Sequence, residues 1–235
     1  MAAGGTIIAM GGGGFVMRDV LTPLDRYVLA LCGNARPKVC FVPTASGDPV
    51  GVLQRFHQLF GALGCRLSYV DVFRQAVDDL DGFLADQDVV YVGGGNTRNM
   101  LLLWEAWGVD RALRFAYERG TILAGVSAGA LCWFREGITD SYPGRLLPLQ
   151  CLGLIDASFS PHYDVEPGRR PAFQQLIASG ELRAGYAADD GAALRFDGGV
   201  LREVVAEDAG KFAYHVSRSG DAAREEVLPA RLLFA

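Results

Sequence analysis

Thr121-Ile122-Leu123-Ala124-Gly125-Val126-Ser127-Ala128-Gly129-Ala130 places a short apolar run, typical of a β-strand, directly before a Gly-x-Ser-x-Gly motif. A helix-forming run, residues 130–134, follows the motif. Strand, tight turn and helix, in that order, are the context that a nucleophile elbow requires. Gly125 and Gly129 lack a Cβ, so the strand and the helix can approach closely. A glycine-rich turn with an incidental serine has the same pattern, so the motif needs support from elsewhere in the chain.

Before this stretch, the chain alternates between apolar runs of strand length and helical runs. Alternation of this kind, with largely apolar strands, predicts a parallel sheet that helices cover on both faces. A polar connection with five aspartates, residues 78–88, is predicted to be solvated surface. The predicted strands are 6–10, 38–42, 66–73, 88–92 and the strand that ends at Ser127; the predicted helices are 22–32, 50–63, 97–104 and 109–119, and a turn is predicted at 43–49.

The pattern changes after Arg135. Residues 137–154 are predicted to be turn-rich, residues 152–159 to be extended and residues 171–179 to be helical. Short strands then follow, and they predict antiparallel strands that extend the sheet at one edge or form a small second sheet. These strands are 184–188, 192–196, 200–205, 211–217 and 226–235.

Length and composition favour a single α/β domain over residues 1–235. Half of the residues are hydrophobic, about a fifth are charged and the net charge is −5. Because there is no basic cluster, neither a nucleic acid nor an anionic membrane surface is an expected partner. The apolar runs are of strand length and the N-terminal residues lack the pattern of a signal peptide, so we expect a cytoplasmic protein without a membrane span.

The sequence indicates neither a cofactor nor a metal site. The five cysteines form no Cys-x-x-Cys pair and there are three histidines, so reduced thiols are expected rather than disulfides or a zinc site. The glycine-rich loop 11–14 lacks the Gly-Lys-Ser/Thr of a P-loop. The second strand ends at Pro43 rather than at an acid that could bind a ribose, which argues against a dinucleotide. We expect these glycines to let the first loop pass close beneath an active site.

Ser127 and the run Gly93-Gly94-Gly95-Asn96 both follow predicted strands. Ligands of such sheets bind beyond the carboxyl ends of the strands, so both segments are expected to face one crevice. The N–H of Ala128 opens the helix and can donate to an oxyanion. A second N–H donor is expected from Gly93–Gly95, since three consecutive glycines are hard to explain by packing alone.

A serine nucleophile needs a base, which is usually an oriented histidine. His57 lies on a predicted helix and His215 in a late strand, where packing roles are favoured. His162 follows Ser160-Pro161 at a strand end, where a loop can aim the imidazole, and it is the predicted base. Together with the serine, it predicts acyl transfer through an acyl-serine, followed by hydrolysis. The sequence offers four nearby acids to orient the histidine: Asp140, Asp164, Asp189 and Asp190.

Three motifs lie along the chain in this order: Gly93-Gly94-Gly95-Asn96-Thr97, Gly125-Val126-Ser127-Ala128-Gly129-Ala130 and Pro161-His162-Tyr163. In order and spacing they resemble the signatures of the peptidase E family, which contains the α-aspartyl dipeptidases and the related cyanophycinases. The resemblance covers nearly the whole chain. It implies a three-layer α/β/α sandwich similar to the class I glutamine amidotransferases, with a mostly parallel sheet and late antiparallel strands.

The resemblance also implies roles for individual residues. Ser127 is the implied nucleophile, in place of the amidotransferase cysteine, and His162 is the implied base. The implied oxyanion hole combines the N–H of Ala128 with that of Gly94 or Gly95.

Two positions depart from the family's pattern. The third catalytic member is usually a glutamate before a glycine in the late hairpin; here that position is Asp190, and Asp140 is the alternative acid. Aspartyl-specific members carry an arginine on the helix after the histidine, where this chain has Gln174 or Gln175. The candidates for substrate binding are Arg169 and Arg170, one turn earlier, together with Asn96 and Thr97 of the first motif.

The sequence therefore predicts a cytoplasmic serine exopeptidase for small peptides, with dipeptides that carry an N-terminal aspartate as candidate substrates. A different specificity of the same machinery, of carboxypeptidase type or for another amide or ester, is the first alternative. The second is a non-catalytic amidotransferase-like binding module, and the intact Ser127, His162 and Gly93–Gly95 speak against it. The apolar run 232–234 is expected either to form a homodimer contact or to join the core.

Overall fold

The computed structural model describes residues 5–47, 49–74 and 77–234 of the chain. Two predicted segments extend past these ranges: the turn at 43–49 includes residue 48, and the last strand, 226–235, includes residue 235. No helix within the described ranges is both long and apolar enough to cross a membrane. The single-domain organisation over residues 1–235 stays a prediction.

The main sheet has eight strands. In spatial order they are β14 (Ala230–Leu232), β11 (Val200–Ala206), β10 (Ala192–Asp197), β1 (Thr6–Met10), β5 (Ile122–Val126), β4 (Val89–Val92), β2 (Lys38–Val42) and β3 (Arg66–Tyr69). The five strands from β1 to β3 in this order are parallel, whereas β10 is antiparallel to both β1 and β11. β4 and β5 are neighbouring parallel strands, so their carboxyl ends lie at the same edge of the sheet. Gly93 and Ser127, which follow these two strands, therefore lie at that edge too.

Both alternatives for the late strands occur: β10 and β11 extend the main sheet as antiparallel strands, and others join a second sheet, which has six strands rather than being small. In spatial order these six strands are β13 (Ala222–Leu228), β12 (Ala213–Ser219), β9 (Gly185–Ala188), β8 (Ile155–Ser160), β6 (Phe134–Tyr142) and β7 (Arg145–Gln150). The helices of the described ranges are α1 (Gly14–Met17), α2 (Pro23–Ala30), α3 (Val50–Ala62), α4 (Leu80–Ala85), α5 (Thr97–Trp107), α6 (Val109–Glu118), α7 (Ala128–Leu131) and α8 (Arg169–Ser179), with a 3₁₀ turn at Thr44–Ser46.

The parallel strands β1, β5, β4 and β2 are buried on both faces, because alternate side chains enter two different cores, whereas the edge strand β3 is partly exposed. On one face Ile8 of β1 belongs to a core that includes residues of α1 to α3 such as Phe56. On the other face Ile7 belongs to a core that includes Trp104 of α5 and Phe134 of the second sheet. The outer face of the second sheet is covered by α8. The predicted α/β/α sandwich with a mostly parallel main sheet is therefore confirmed.

The prediction that residues 137–154 are turn-rich is wrong, because β6 and β7 form a hairpin there. Pro148 lies within β7, opposite Ile138, and a proline is tolerated because β7 is the edge strand of its sheet. Gly137 lies within β6, where a Cβ would be 2.2 Å from the carbonyl oxygen of Phe159. Pro148 therefore marks a sheet edge and Gly137 a close backbone contact, and neither residue marks a turn.

Other boundaries also differ from the prediction; for example, the helix-forming run at 130–134 leaves the helix after Leu131, and β6 begins at Phe134. The polar connection at 78–88 contains α4, which the side chain of Asp79 caps while Leu84 is buried in the core. The strand predicted at 66–73 ends at Tyr69, and Oδ1 of Asp71 accepts two following N–H groups and forms a turn. The strand predicted from Glu226 onward divides into β13, which begins at residue 222, and β14.

The apolar run at the end of the described chain is divided between two environments. Leu232 ends β14 and Leu233 packs against the core beside α1 to α3, whereas Phe234 is 87% exposed. Leu233 therefore joins the core, which is one of the two roles expected for this run. The homodimer stays a prediction.

Asp25, in the first turn of α2, is a fully buried carboxyl group. Its Oδ2 accepts the N–H of Thr22 at 2.8 Å in a capping box, and its Oδ1 accepts the hydroxyl of Tyr91 at 3.0 Å. Burial raises the pKa of Asp25 from 3.8 to about 6, against the lowering effect of these hydrogen bonds. The folded protein therefore keeps this proton over a pH range in which the unfolded chain has lost it.

We expect an Asp25→Asn variant to gain stability relative to the wild type as the pH rises from about 4 to about 7.5. Between the two pKa values the folded state binds more protons at Asp25, so the contribution of this group to the free energy of unfolding falls with pH, by about 3 kcal/mol over its whole titration. Asparagine keeps an acceptor for Thr22 and does not titrate. Urea unfolding of both proteins at the two pH values measures the change, and parallel pH dependences would contradict it.

Candidate active site

Ser127 lies on the turn between β5 and α7, at the carboxyl edge of the main sheet. Its φ of 56° and ψ of −114° are unusual for a residue other than glycine. A Cβ at Gly125 would lie 2.0 Å from the carbonyl oxygen of Gly129, and a Cβ at Gly129 would lie 2.3 Å from that of Val92. Both glycines are therefore needed for the close strand–helix contact that the motif predicts.

The Ser127 hydroxyl lies within hydrogen-bond distance of His162. The distance from Oγ to Nε2 is 2.7 Å, and on the other side of the ring Nδ1 lies 2.6 Å from Oδ1 of Asp190. When Nδ1–H donates to the carboxylate, Nε2 is the acceptor of the serine hydroxyl. The side chains of His162 and Asp190 are 12% and 18% exposed, so little water competes for these hydrogen bonds.

His162 follows β8 and has a φ of 53°, so its backbone too is unusual for a residue other than glycine. Its N–H donates to the carbonyl of Gly11 at 3.2 Å. The N–H of Tyr163 donates to the carbonyl of Ala188, at the end of β9, at 3.1 Å. The first loop of the chain and β9 thus hold the turn that carries the imidazole.

Asp190 lies in the turn between β9 and β10. Gly12 forms a β-bridge with it, and the carbonyl of Gly12 accepts the N–H of Gly191 at 3.1 Å. A Cβ at Gly12 would lie 2.0 Å from Oδ1 of Asp190. This glycine therefore lets the first loop pass close beneath the pair of Asp190 and His162, as the sequence predicted for the glycine-rich loop.

Backbone N–H groups beside the serine are the candidates for an oxyanion hole. A Cβ at Gly94 would lie 3.2 Å from the Cβ of Ser127, so this glycine lies directly against the serine. Within the described ranges, the N–H groups of Gly94, Gly95 and Ala128 have no acceptor in the chain. Gly95 has a φ of 137° and a Cβ there would lie 2.2 Å from the carbonyl oxygen of Ala45. Packing therefore does account for Gly95, contrary to our expectation for the glycine run.

A pocket of about 260 Å³ opens beside the serine and the histidine. Its charged groups, apart from the histidine, are two carboxylates and one guanidinium. The lining residues are Gly95, Asn96, Ser127, Asp140, Ser141, His162, Glu166 and Arg169.

Arg169 is the candidate substrate-binding arginine that the structure places at this pocket. Its side chain is 2% exposed, and Nε donates to Glu166 at 2.6 Å. One Nη donates to the carbonyl of Ile138 at 3.3 Å, and the other lies 3.5 Å from the carboxylate of Asp140. Asp140, the alternative third catalytic member, is 64% exposed and pairs with this arginine, whereas Asp190 is the acid beside the histidine.

Arg170 lies outside the pocket. Its guanidinium pairs with Glu225 and lies over the rings of Tyr163 and Tyr214, 5.3 and 4.8 Å from their centroids. Partial burial lowers the pKa of Arg170, but the Glu225 carboxylate raises it by more. Gln174, at one of the positions matched to the family's arginine, also donates to Glu225, at 2.8 Å. The prediction that Arg170 binds substrate is not supported by this placement.

Asn96 and Thr97 are placed differently from each other. Asn96 lines the pocket, accepts the N–H of Asn99 at 2.8 Å as the cap of α5, and donates to the carbonyl of Ser141 at 3.2 Å. Thr97 is 2% exposed, and its hydroxyl lies 3.5 Å from that of Thr139. Thr97 therefore packs inside the protein rather than lining the pocket.

The sequence matches a family model over most of its length. The model, described as Peptidase family S51, matches residues 7–204. The chain belongs to peptidase family S51. Uncharacterized peptidase YgaJ of Bacillus subtilis (strain 168) is 48% identical over 227 residues, which are 97% of this chain and 98% of that protein. Uncharacterized peptidase Lin0382 of Listeria innocua serovar 6a is 26% identical over 68% of this chain and 79% of that protein.

Two solved structures are similar to the S51 chain. A peptidase from an acI-B1 actinobacterium has a TM-score of 0.71 and 18% identity, over 97% of this chain and 96% of that chain. A putative peptidase E protein from Listeria monocytogenes EGD-e has a TM-score of 0.60 and 22% identity, over 86% of this chain and 98% of that chain. These likenesses show a shared fold. Family membership makes the protein a serine peptidase, and therefore a hydrolase, and it confirms the resemblance seen in the motifs.

Glu166 and Ser141 line the S51 pocket but were not predicted from the sequence. The N–H of Glu166 donates to the carbonyl of His162 at 3.2 Å, so Glu166 lies one turn after the histidine. Its spacing of three residues from Arg169 is a signal for an ion pair that could have been read from the sequence. Ser141 lies in β6, which the sequence did not predict to be a strand.

The S51 chain contains no group of three or more metal-ligating side chains within its described ranges. All five cysteines are free thiols. The remaining histidines, His57 and His215, make aromatic contacts with Phe56 and Tyr186 and do not line the pocket.

Proposed function

We propose that this S51 peptidase is a serine exopeptidase that hydrolyses small peptides through an acyl-serine intermediate. The observation that carries the proposal is the hydrogen-bonded series Asp190–His162–Ser127, with distances of 2.6 and 2.7 Å. A nucleophile, a base and an orienting acid within reach of one another can activate a serine hydroxyl. The N–H groups beside the serine supply a site for the oxyanion.

In the proposed reaction, Nε2 of His162 removes the hydroxyl proton as Oγ of Ser127 attacks the carbonyl carbon of the scissile peptide. The charge that develops on the carbonyl oxygen is stabilised by the backbone N–H groups, while Asp190 stabilises the imidazolium. The imidazolium then protonates the departing amine as the C–N bond breaks, which leaves an ester on the serine. A water molecule, deprotonated at the same Nε2, hydrolyses this ester and restores the hydroxyl.

The size of the pocket supports small substrates. Its volume of about 260 Å³ lies just below the range of about 300–1,000 Å³ that is common for pockets of drug-sized ligands. A terminal residue fits such a space better than a length of folded polypeptide. The charged groups next to the serine also offer partners to a free peptide terminus, which an exopeptidase must recognise.

The pocket gives less support to specificity for an N-terminal aspartate. The Arg169 guanidinium is already engaged by two carboxylates and a carbonyl. Together with Asp140 and Glu166 it gives the pocket a net charge of −1, taking the histidine as neutral (one positive group and two negative groups). An acidic side chain would have to displace these partners and face like charge. We therefore propose neutral terminal residues as better substrates than aspartate.

We expect the wild-type enzyme to cleave unblocked dipeptides with a neutral first residue with kcat/KM at least about tenfold above that for matched Asp-X dipeptides, a difference of about 1.4 kcal/mol. Peptides blocked at the N-terminus or at the C-terminus show which free end is required, and so separate aminopeptidase-type from carboxypeptidase-type cleavage. The measurement is a kcat/KM panel on the wild type and on a Ser127→Ala variant. Selective cleavage of the Asp-X substrates would contradict the proposed preference and assign Arg169 as the carboxylate clamp.

The same peptide panel, together with a fluorophosphonate probe, tests the binding-module alternative. A fluorophosphonate probe labels a serine that a base has activated and leaves an unactivated serine unlabelled. Labelling that requires both Ser127 and His162 would support the enzyme. An unlabelled wild type that cleaves no peptide would favour the binding module.

A further inference from the structure

Asp164 connects the two turns that carry His162 and Asp190. It lies two residues after the histidine, and its Oδ1 accepts the backbone N–H of Asp190 at 2.9 Å. Its Oδ2 accepts Nζ of Lys211 at 2.5 Å. Neither Asp164 nor Lys211 lines the pocket, so neither is placed to contact a substrate there.

This contact adds a side-chain link to the backbone contacts through which the first loop and β9 already hold the two turns. His162 lies between β8 and α8, whereas Asp190 lies in the turn between β9 and β10. A side-chain hydrogen bond from one turn to the backbone of the other ties the base to its orienting acid. Because the contact is to the N–H of Asp190 itself, a shift of Asp164 acts directly on the residue whose carboxylate meets Nδ1.

Charge makes the contact stronger. Partial burial raises the pKa of Asp164, but the ion pair with Lys211 and the N–H of Asp190 lower it by more, to below its ordinary value. The Asp164 carboxylate in turn raises the pKa of Lys211. A carboxylate accepts a backbone N–H more strongly than a neutral oxygen does. The lysine also offsets the like charges of Asp164, Asp189 and Asp190, which all act on it.

We propose that Asp164, held by Lys211, is a positioning residue for catalysis: it sets the place of Asp190 relative to His162. Only the expected changes in kcat rest on the proposed function. The structural part of the proposal, the hydrogen bond between Nδ1 and the Asp190 carboxylate, can be observed directly. A misplacement of about 1 Å away from the reacting atoms can cost about a hundredfold in rate.

The experiment compares Asp164→Ala, Asp164→Asn and Lys211→Met with the wild type. Asp164→Ala is expected to lower kcat about a hundredfold with KM within about threefold, because the orientation of the base is lost while the pocket is intact. Asp164→Asn keeps a neutral acceptor for the N–H of Asp190 and is expected to recover about tenfold of that loss. Lys211→Met keeps the carboxylate and is expected to lower kcat by about fivefold.

One further measurement and one control variant separate positioning from general stability. The proton on Nδ1, in its short hydrogen bond to a carboxylate, gives a strongly downfield NMR signal in the wild type, which Asp164→Ala should weaken or shift and Asp164→Asn should partly restore. Lys38→Met is the matched control, since the pair of Lys38 with Asp86, at 2.7 Å, lies at the amino end of β2, away from the site. It should leave both kcat and the signal unchanged.

Wild-type kcat and an unchanged signal in Asp164→Ala would overturn the proposal, and so would an equal loss in the Lys38→Met control. If Asp164→Ala does not fold, Lys211→Met decides: a lower kcat at constant KM with a shifted signal supports positioning, and wild-type values refute it. If the wild type itself cleaves nothing and Ser127 is not labelled, the proposed function fails, while the signal in the variants still decides the role of Asp164.

Discussion

A Ser127→Ala variant is expected to fold like the wild type and to lose at least about a thousandfold in kcat, as removal of a triad member typically does. The hydroxyl oxygen is the atom that would form the acyl intermediate, and alanine supplies no substitute. The N–H groups beside the serine would remain, so catalysis above the uncatalysed rate can persist. The measurement is kcat for the best substrate of the panel.

The unchanged fold is part of the expected result. The side chain of Ser127 bonds to Nε2 of His162, whereas the turn itself is held by backbone contacts: its N–H donates to Met10 and its carbonyl accepts the N–H groups of Ala130 and Leu131. Alanine keeps these contacts, so the thermal midpoint should stay close to that of the wild type. Ser46→Ala is a matched control in the loop beside Gly95, and it should retain activity within about threefold. Cleavage by a correctly folded Ser127→Ala variant at near the wild-type rate would remove the serine from the mechanism.

The elbow could be predicted because the sequence signals for it lie within ten residues. A strand, two glycines and a following helix are local features, and Gly125 and Gly129 make their close contacts within the motif or with the neighbouring strand. β1 and β2 have the predicted bounds for a similar reason, since each is a short apolar run beside glycine or proline. Local pattern and fold agree in these segments.

The features that the sequence did not predict depend on contacts between distant segments. β7 forms a strand although it contains Pro148, because it lies at a sheet edge, and nothing in its own sequence specifies an edge. The sequence indicates only that Arg169 lies at the start of a helix. Its contacts with Ile138 and Asp140 depend on how α8 packs against the second sheet. The residues alone left four acids open and only the family resemblance favoured Asp190, because the bridge that places it, with Gly12, joins segments far apart in the chain.

Asp190→Asn is expected to lower kcat far more than Asp140→Asn. The Asp190 carboxylate lies 2.6 Å from Nδ1 of His162, where it selects the tautomer that leaves Nε2 as the acceptor and stabilises the imidazolium. An amide keeps the shape but can present an N–H to Nδ1, which selects the wrong tautomer. In a serine protease triad this change costs about 10⁴-fold in kcat, and we expect a loss of this order here.

Asp140→Asn is the matched change at the rival acid. Its carboxylate is 64% exposed and lies 3.5 Å from Arg169, so the charge it loses is largely screened by water. We expect kcat within about threefold of the wild type, because a single exposed ion pair is worth about 1 kcal/mol or less. Steady-state kinetics of both variants with one neutral substrate decide between the two acids. Equal losses, or a larger loss for Asp140→Asn, would remove Asp190 from the role of orienting acid, and the short distance to Nδ1 would then reflect packing rather than catalysis.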